Sequence, residues 1–193
     1  RHRPWVRLKT ASTLDGKTAL ANGQSQWITG DAARADVQKL RARACAILTG
    51  SGTLLIDNPR MTVRDFDIGR QPLRVIVDWR FLASPSAAIL PALIACAASQ
   101  PDTRDALSAA GAEIIELPDP HGRVDLAALM HELARRGINE VHVEAGAALS
   151  GALLEAGLID EWIAYISPMA LGQDARGVFK HPQLESLEHA ARF

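Results

Sequence analysis

The chain has 193 residues, which is enough to bury one sizeable hydrophobic core. Hydrophobic residues make up 48%, charged residues make up 22% and the formal net charge is −1, which excludes a general nucleic-acid or anionic-membrane surface. No uninterrupted apolar run approaches the roughly 20 residues that a membrane-spanning helix needs.

Short runs rich in Val, Ile and Ala alternate with amphipathic runs along the chain. In chain order, the sequence predicts a strand at 5–12, a helix at 31–43, and strands at 45–49, 73–78 and 92–97. A helix at 103–110 capped by Thr103, a strand at 113–117, a helix at 125–136, a strand at 140–144, a helix at 147–156 and a strand at 161–166 follow. This alternation indicates an α/β fold with a mostly parallel central sheet and helices on both faces.

Two strand–glycine–helix junctions are the main local motifs, "LTGSGTLL" at 48–55 and "VEAGAALSGALL" at 143–154. The start of a helix presents free backbone N–H groups and the positive end of the helix dipole, which suit a phosphate. Neither junction is a GxGxxG or P-loop motif, so each one alone is compatible with a plain turn or with a nucleotide site. Both would lie at the carboxyl edge of a parallel sheet, where such sheets bind ligands.

A few charged and aromatic residues are candidates for chemistry. Glu144 ends an apolar strand at this carboxyl edge, where a carboxylate orients a hydroxyl, transfers a proton or only bonds a neighbouring turn. Lys9 lies within the first strand and either faces the site or points to solvent. Four arginines are suitable forks for a substrate phosphate, although most helix arginines are solvated and composition does not choose among them: Arg34, Arg41, Arg60 and Arg64. Trp27 either stacks on a flat ring or caps the core.

The cysteines and histidines favour neither a disulfide nor a metal site. Cys45 and Cys96 lie in apolar runs, which is typical of buried thiols in a reducing compartment and predicts a cytoplasmic protein. The six histidines form no HxxxH or HxH pair, and no GxSxG nucleophile motif is present. Without a metal or a nucleophile, a nucleotide-binding sheet edge favours hydride transfer from a bound cofactor.

Three blocks of the chain resemble the reductase domain of bacterial bifunctional riboflavin-biosynthesis deaminase/reductases. They are "KTASTLDGKTALANGQSQWITG" at 9–30, "ILTGSGTLLIDNPRMTVR" at 47–64 and "VEAGAALSGALLEAGLIDEWIAYISPMALGQDARG" at 143–177. The resemblance extends over residues 5–193 and implies a dihydrofolate-reductase-like fold, NADPH as the cofactor and a homodimer. It also implies reduction of 5-amino-6-(5-phosphoribosylamino)uracil to 5-amino-6-(5-phosphoribitylamino)uracil, with the hydride going to the anomeric carbon of the ring-opened ribose.

The resemblance implies roles for individual residues. The cofactor is expected to contact Ala11, Trp27, Thr53, Asp57, Trp79, Gly146, Ala147, Ala148, Leu149, Ser150, Gly151 and Ala152. The phosphorylated pyrimidine substrate is expected to contact Ser25, Arg41, Met61, Arg64 and Glu144. Lys9 and Glu144 are the expected catalytic residues, and the sequence leaves the identity of the proton donor open. Trp79 replaces a small polar residue that relatives often carry near the cofactor.

The family resemblance also sets expectations about the domain organisation. Members of this family often carry a zinc deaminase domain with HxE and PCxxC motifs, which this sequence lacks. They also continue with a terminal strand pair beyond position 193. We therefore expect residues 1–193 to be a single reductase domain, either a fragment of a two-domain protein or a stand-alone enzyme. The alternatives are a reductase of a related pterin or pyrimidine and a non-catalytic nucleotide-binding domain.

Overall fold

The structure is a computed structural model that describes residues 2–181 and 184–192. Its first elements are β1 (Trp5–Thr13), β2 (Lys17–Ala19), α1 (Asp31–Arg43), β3 (Ala46–Gly50), α2 (Ser51–Asp57), β4 (Leu73–Val77) and β5 (Leu93–Cys96). These are followed by α3 (Pro101–Ala109), β6 (Glu113–Glu116), α4 (Leu126–Arg135), β7 (Glu140–Val143), α5 (Ala147–Glu155), β8 (Glu161–Ser167) and β9 (Arg176–Gly177). A short 3₁₀ turn, Leu187–His189, comes last. No helix in the described part of the chain is long and apolar enough to span a membrane.

The central sheet has seven strands in the order β6-β5-β4-β3-β7-β1-β8, and every neighbouring pair is parallel. The predicted α/β architecture with a mostly parallel sheet is therefore confirmed. Short β2 and β9 form a separate antiparallel ribbon, which the sequence did not predict because two or three residues are too few to show a period.

One face of the sheet is apolar and is covered by α4 and α5. Leu8, Leu48 and Val143 lie side by side in the register of three adjacent strands and are fully buried. Leu133 of α4 and Leu153 of α5 pack in the same cluster. Each buried leucine of this kind contributes about 1.5–3 kcal/mol relative to exposure, so this face supplies much of the folding free energy.

The opposite face is divided into an apolar half and a charged half. On β3, β4 and β5, Ile47, Ile76 and Ile94 form a second core with residues of α2 and α3. On β7 and β1, the equivalent positions are polar, because His142 lies level with both Ile47 and Arg7. The sequence prediction of helices on both faces did not anticipate this charged half.

Arg7 fixes the charged half at its amino-terminal end. Its side chain is buried between Glu140 of β7 and Glu161 of β8, with an ion pair to each; the Arg7 Nε to Glu161 Oε2 distance is 2.7 Å. Burial disfavours the charge on Arg7, but the two carboxylates outweigh burial and raise its pKa. Arg7 therefore joins three neighbouring strands through paired charges.

The predicted N-cap of α3, Thr103, is wrong. The helix begins at Pro101, with Gln100 at the cap position, rather than at Thr103. Proline is favoured in the first turn because its φ is already helical and its missing N–H is not needed there. The other predicted elements were placed within about two residues of their observed ends.

Gly151 allows the segment after β9 to cross α5 at close range. A Cβ atom at this position would lie 2.1 Å from the carbonyl oxygen of Lys180. The Lys180 N–H also donates to the carbonyl of Ala147, one turn earlier on the same helix, at 2.9 Å. The glycine is therefore required for backbone packing.

Gly151→Ala should lower the free energy of unfolding by about 1–3 kcal/mol, because the new methyl group overlaps a backbone carbonyl. The matched control is Gly52→Ala in α2, where an added Cβ meets nothing within 4 Å. That control should be neutral or stabilising by up to about 1 kcal/mol, since alanine is the better helix former. Urea unfolding of both variants measures the difference. Equal effects would contradict the proposed packing role.

Candidate active site

The carboxyl ends of β3, β7 and β1 form the edge at which the predicted site residues gather. These three strands are neighbours in the sheet, so the residues that follow them lie close together. Glu144 directly follows β7, and its N–H donates to the carbonyl of Leu48 on β3 at 3.0 Å. Its side chain points to the charged half of the sheet, beneath α1.

Arg41 of α1 forms a two-pronged ion pair with Glu144. The Nε–Oε1 distance is 2.5 Å and the Nη2–Oε2 distance is 3.0 Å, with side chains only 12% and 14% exposed. Arg41 Nη1 also donates to the carbonyl of Thr62 at 3.1 Å, and Nη2 contacts Met61 Sδ at 3.6 Å. One guanidinium group thus joins α1, the end of β7 and the segment after α2.

The carboxyl group of Glu144 is held in its charged form. Burial disfavours the charge, but the contact from His142 and the charge and hydrogen bonds of Arg41 outweigh burial and hold its pKa well below the usual range. His142 is fully buried, and its Nε2 lies 3.3 Å from Glu144 Oε1. Glu144 is therefore an acceptor and a negative charge at neutral pH, and it is not a proton donor there.

Lys9 lies on β1 beside this ion pair. Its side chain faces α1 rather than open solvent, and its Nζ is 5.9 Å from the centre of the Tyr165 ring on β8. The Tyr165 hydroxyl donates to Asp36 Oδ2 of α1 at 2.6 Å. Burial lowers the pKa of Lys9, and nearby Arg41 adds to the effect while Glu144 opposes it. A lysine with a lowered pKa releases its proton more readily than an exposed one.

Of the other expected substrate residues, Met61 contacts the cluster through Arg41. Met61 is 5% exposed and has a positive φ of 49°, a backbone conformation that is strained for a side chain of this size. Arg64 is exposed; its backbone N–H donates to Gln38 Oε1 at 3.1 Å, and within the described ranges its guanidinium has no ion pair. Ser25 is partly buried in the loop between β2 and α1.

Trp27 in that same loop does not cap the core, because it is 68% exposed. The guanidinium carbon of Arg34 lies 4.5 Å from the centre of its ring. A tryptophan fixed in this way on the surface offers a flat apolar face to a ligand ring. Its expected cofactor contact stays a prediction.

The first turn of α5 has accessible backbone N–H groups and no acidic side chain of its own, as an anion site requires. Gly146 precedes the helix without a side-chain cap, and no acidic residue follows in the first turn. Gly146 and Ala148 are exposed, and nothing lies within 4 Å of a Cβ added at Gly146. The start of this helix therefore leaves its N–H groups and dipole available.

The remaining residues of the predicted turn serve packing in this structure. Leu149 lies against Gly50, where an added Cβ would be 3.3 Å from its Cδ2. Ser150 is fully buried and its hydroxyl donates to the carbonyl of Ala145 at 3.3 Å. Gly151 faces the Lys180 backbone. The expected cofactor contacts of these residues and of Ala152 remain predictions.

The other expected cofactor residues extend along the same edge. Ala11 is partly buried on β1; on α2, Thr53 is partly buried and Asp57 is exposed at the last position. Trp79 follows β4 and is 43% exposed. The structure therefore distributes these residues over β1, α2 and the end of β4, on both sides of α5's first turn.

The described residues contain two free thiols and no group of side chains that could bind a metal ion. Cys45 and Cys96 are free thiols, and burial raises the pKa of Cys96 to about 11, which keeps it protonated. Across residues 2–181 and 184–192, no group of three or more His, Cys, Asp or Glu side chains lies close enough together to hold a metal ion.

Sequence reasoning missed three residues of the cluster, His142, Asp36 and Tyr165. The motif "VHVE" places His142 two positions before Glu144, and alternation predicts that both face the same side of the sheet. That signal was available from the sequence. The contact of Tyr165 with Asp36 was not, because it depends on the parallel pairing of β8 with β1.

Glu144→Gln should lower the free energy of unfolding by about 2–4 kcal/mol at pH 7, since it leaves the buried Arg41 guanidinium without its counter-charge. The pKa of Glu144 is depressed in the folded state, so its contribution is complete above the unfolded value of about 4.3 and is lost as the pH falls further. The difference in unfolding free energy between wild type and variant should therefore stay constant from pH 7 to about pH 5 and narrow from there to about pH 3.5.

The matched control for this experiment is Glu113→Gln. Glu113 also pairs with an arginine, Arg136, but its side chain is 60% exposed. Its removal should cost less than about 1 kcal/mol at pH 7. Urea unfolding at several pH values compares the two variants. A difference for Glu144→Gln that stayed constant down to about pH 3.5 would show that the ion pair is not its cause.

Comparison with known proteins identifies the family. A family model described as the RibD C-terminal domain matches residues 4–192. The riboflavin biosynthesis protein RibD of Escherichia coli is 43% identical and covers 98% of this chain, which spans 55% of that relative. The structure of Acinetobacter baumannii RibD superposes with a TM-score of 0.86 at 39% identity, over all of this chain and 53% of that one.

A shorter relative is also informative. The 2,5-diamino-6-ribosylamino-4(3H)-pyrimidinone 5′-phosphate reductase of Methanothermobacter thermautotrophicus is 36% identical over 98% of this chain and 90% of its own length. The chain spans about half the length of the RibD relatives and most of this reductase. From the family match and these identities, the chain belongs to the RibD C-terminal domain family.

Proposed function

We propose that this chain catalyses the NADPH-dependent reduction of 5-amino-6-(5-phosphoribosylamino)uracil to 5-amino-6-(5-phosphoribitylamino)uracil. The main supporting observation is the cluster of Lys9, Arg41 and Glu144 next to the uncapped first turn of α5. Membership of the RibD C-terminal domain family and a relative named as a pyrimidinone phosphate reductase support the same reaction class. The proposal concerns this chain only; a fused deaminase domain and a homodimer stay predictions.

NADPH fits the observed edge of the sheet. Its diphosphate would bind the free N–H groups at the first turn of α5, where no acidic side chain opposes it. The reduced nicotinamide, when bound, supplies a hydride. Placing that ring over the end of β1 would bring it next to Lys9 and Glu144, which lie on the adjacent strands β1 and β7.

The substrate would bind at the carboxyl end of the charged half of the sheet, next to Glu144. Glu144, charged at neutral pH, would accept hydrogen bonds from substrate hydroxyl or amino groups. Arg41 is already held by Glu144, whereas the guanidinium of Arg64 is exposed. We therefore assign the substrate phosphate to Arg64 and a positioning role to Arg41. Substrate contacts for Ser25 and Met61 remain predictions.

Lys9 is the proposed proton donor. In the ring-opened substrate, C1 of the ribose is double-bonded to the neighbouring nitrogen; a hydride added at C1 leaves that nitrogen to take one proton. The lowered pKa of Lys9 suits this transfer. Lys9→Met should therefore abolish turnover while NADPH still binds, and Lys39→Met, which alters a 65% exposed side chain on α1, should not.

The direct test is loss of reduced-nicotinamide absorbance when the purified chain receives NADPH and 5-amino-6-(5-phosphoribosylamino)uracil. We expect turnover, with the ribityl product identified by mass. Binding of NADPH without oxidation would instead support a non-catalytic nucleotide-binding domain. Absence of both binding and turnover would contradict the cofactor and the reaction.

A second candidate substrate is the corresponding 2,5-diamino-pyrimidinone phosphate, the compound in the name of the M. thermautotrophicus relative. It carries an amino group at the ring position where the uracil carries a carbonyl oxygen, and hydrolytic deamination exchanges the one for the other. This relative is 36% identical over 98% of this chain, which makes its substrate the second candidate. Parallel assays with both compounds decide between them through the ratio of kcat/KM values.

Arg64→Ala should raise KM for the substrate about tenfold or more with a smaller effect on kcat, since a charge-assisted hydrogen bond contributes about 1.5–3 kcal/mol. The control is Arg123→Ala, an exposed arginine between β6 and α4. Steady-state kinetics with saturating NADPH measure both variants. If kcat/KM of Arg64→Ala equals that of the control, Arg64 does not bind the phosphate.

A further inference from the structure

A stacked Trp–Arg pair lies at the carboxyl end of β4. The guanidinium carbon of Arg80 is 4.6 Å from the centre of the Trp79 ring, and both residues are exposed. Within the part of the chain that the structure describes, Arg80 makes no ion pair. Stacking holds a guanidinium plane in place but leaves the N–H groups at its rim free to bind an anion.

The backbone on both sides of this pair is anchored. Asp78 is fully buried and accepts a hydrogen bond from the N–H of Ala83 at 2.8 Å. Phe81 is 8% exposed, and its N–H donates to the carbonyl of Asp78 at 2.9 Å. Trp79 and Arg80 therefore project from a fixed turn rather than from a loose loop.

The strand order places the pair on the far side of α5's first turn from the reaction centre. Lys9 and Glu144 belong to β1 and β7, whereas β4 is separated from β7 by β3. The ends of β3 and β4 are level, since Gly50 is in register with Val77. With its diphosphate at α5 and its nicotinamide near Lys9, a dinucleotide would extend its adenosine half across β3 towards Arg80.

We propose that Arg80 binds the 2′-phosphate of the adenosine ribose in NADPH and so selects this cofactor over NADH. This inference rests on the proposed function and assigns its cofactor preference to one residue. A phosphate monoester is doubly charged near neutral pH and accepts two hydrogen bonds from a guanidinium fork. Trp79, in place of a small polar side chain, positions that fork.

The test measures binding of cofactor fragments by calorimetry, without turnover. Adenosine 2′,5′-bisphosphate carries the 2′-phosphate, and 5′-AMP lacks it. Wild type should bind the bisphosphate more tightly, and Arg80→Ala should weaken that binding tenfold or more while leaving the affinity for 5′-AMP within twofold. The control, Arg43→Ala, removes an exposed arginine at the last position of α1 and should behave as wild type.

Two results would overturn the proposal. One is a wild type that binds both fragments equally, and the other is an Arg80→Ala variant that keeps the preference for the bisphosphate. Matching thermal unfolding of wild type and variant checks that the fold is intact. Turnover with NADPH and NADH distinguishes failure of this proposal from failure of the proposed function. If Arg80→Ala is active and keeps the preference for NADPH over NADH, only the role of Arg80 is rejected. If wild type shows no activity, the proposed reaction is rejected.

Discussion

The Arg41–Glu144 ion pair is the interaction on which the arrangement of this edge depends. It connects α1 to the end of β7 and draws in the segment that carries Met61, so three separate parts of the chain share one guanidinium group. A nearly buried pair of this kind has little net value for stability but a large cost if one partner is lost. Its benefit is therefore positional: it holds a charged carboxylate at a fixed place beside Lys9.

The two faces of the sheet have different roles, one in stability and the other in chemistry. The face under α4 and α5 is a continuous apolar core. Its contribution to stability does not depend on the charged residues of the reaction centre. The face under α1 carries paired charges from Arg7 to Glu144 along β1, β7 and β8. The apolar face and the second core beneath α2 and α3 stabilise the sheet. The residues of the charged half therefore need not contribute to stability and can serve ligand binding.

Much of the fold was predictable from the sequence, because alternation of apolar runs and helical periods is a local property. The strand and helix positions, and the parallel sheet that they imply, followed from it. The charged half of the sheet did not, since the register of β7 and β8 against β1 decides which side chains meet. Likewise, the sequence could not show that the space next to Gly151 is filled by the chain's own Lys180 backbone, because that contact joins distant parts of the chain.

The polar contacts beneath α1 also restrict how this sequence can change over evolutionary time. Tyr165 with Asp36 and Arg41 with Glu144 are each matched donors and acceptors from distant parts of the chain. Arg41 and Glu144 are only 12% and 14% exposed, so loss of one leaves the other unsatisfied in a poorly hydrated place. For this pair, single substitutions are disfavoured and compensated double substitutions are the accessible route. The charged half of the sheet is therefore expected to change by paired substitutions. The leucine- and valine-rich face instead tolerates independent exchange of one apolar residue for another of similar volume.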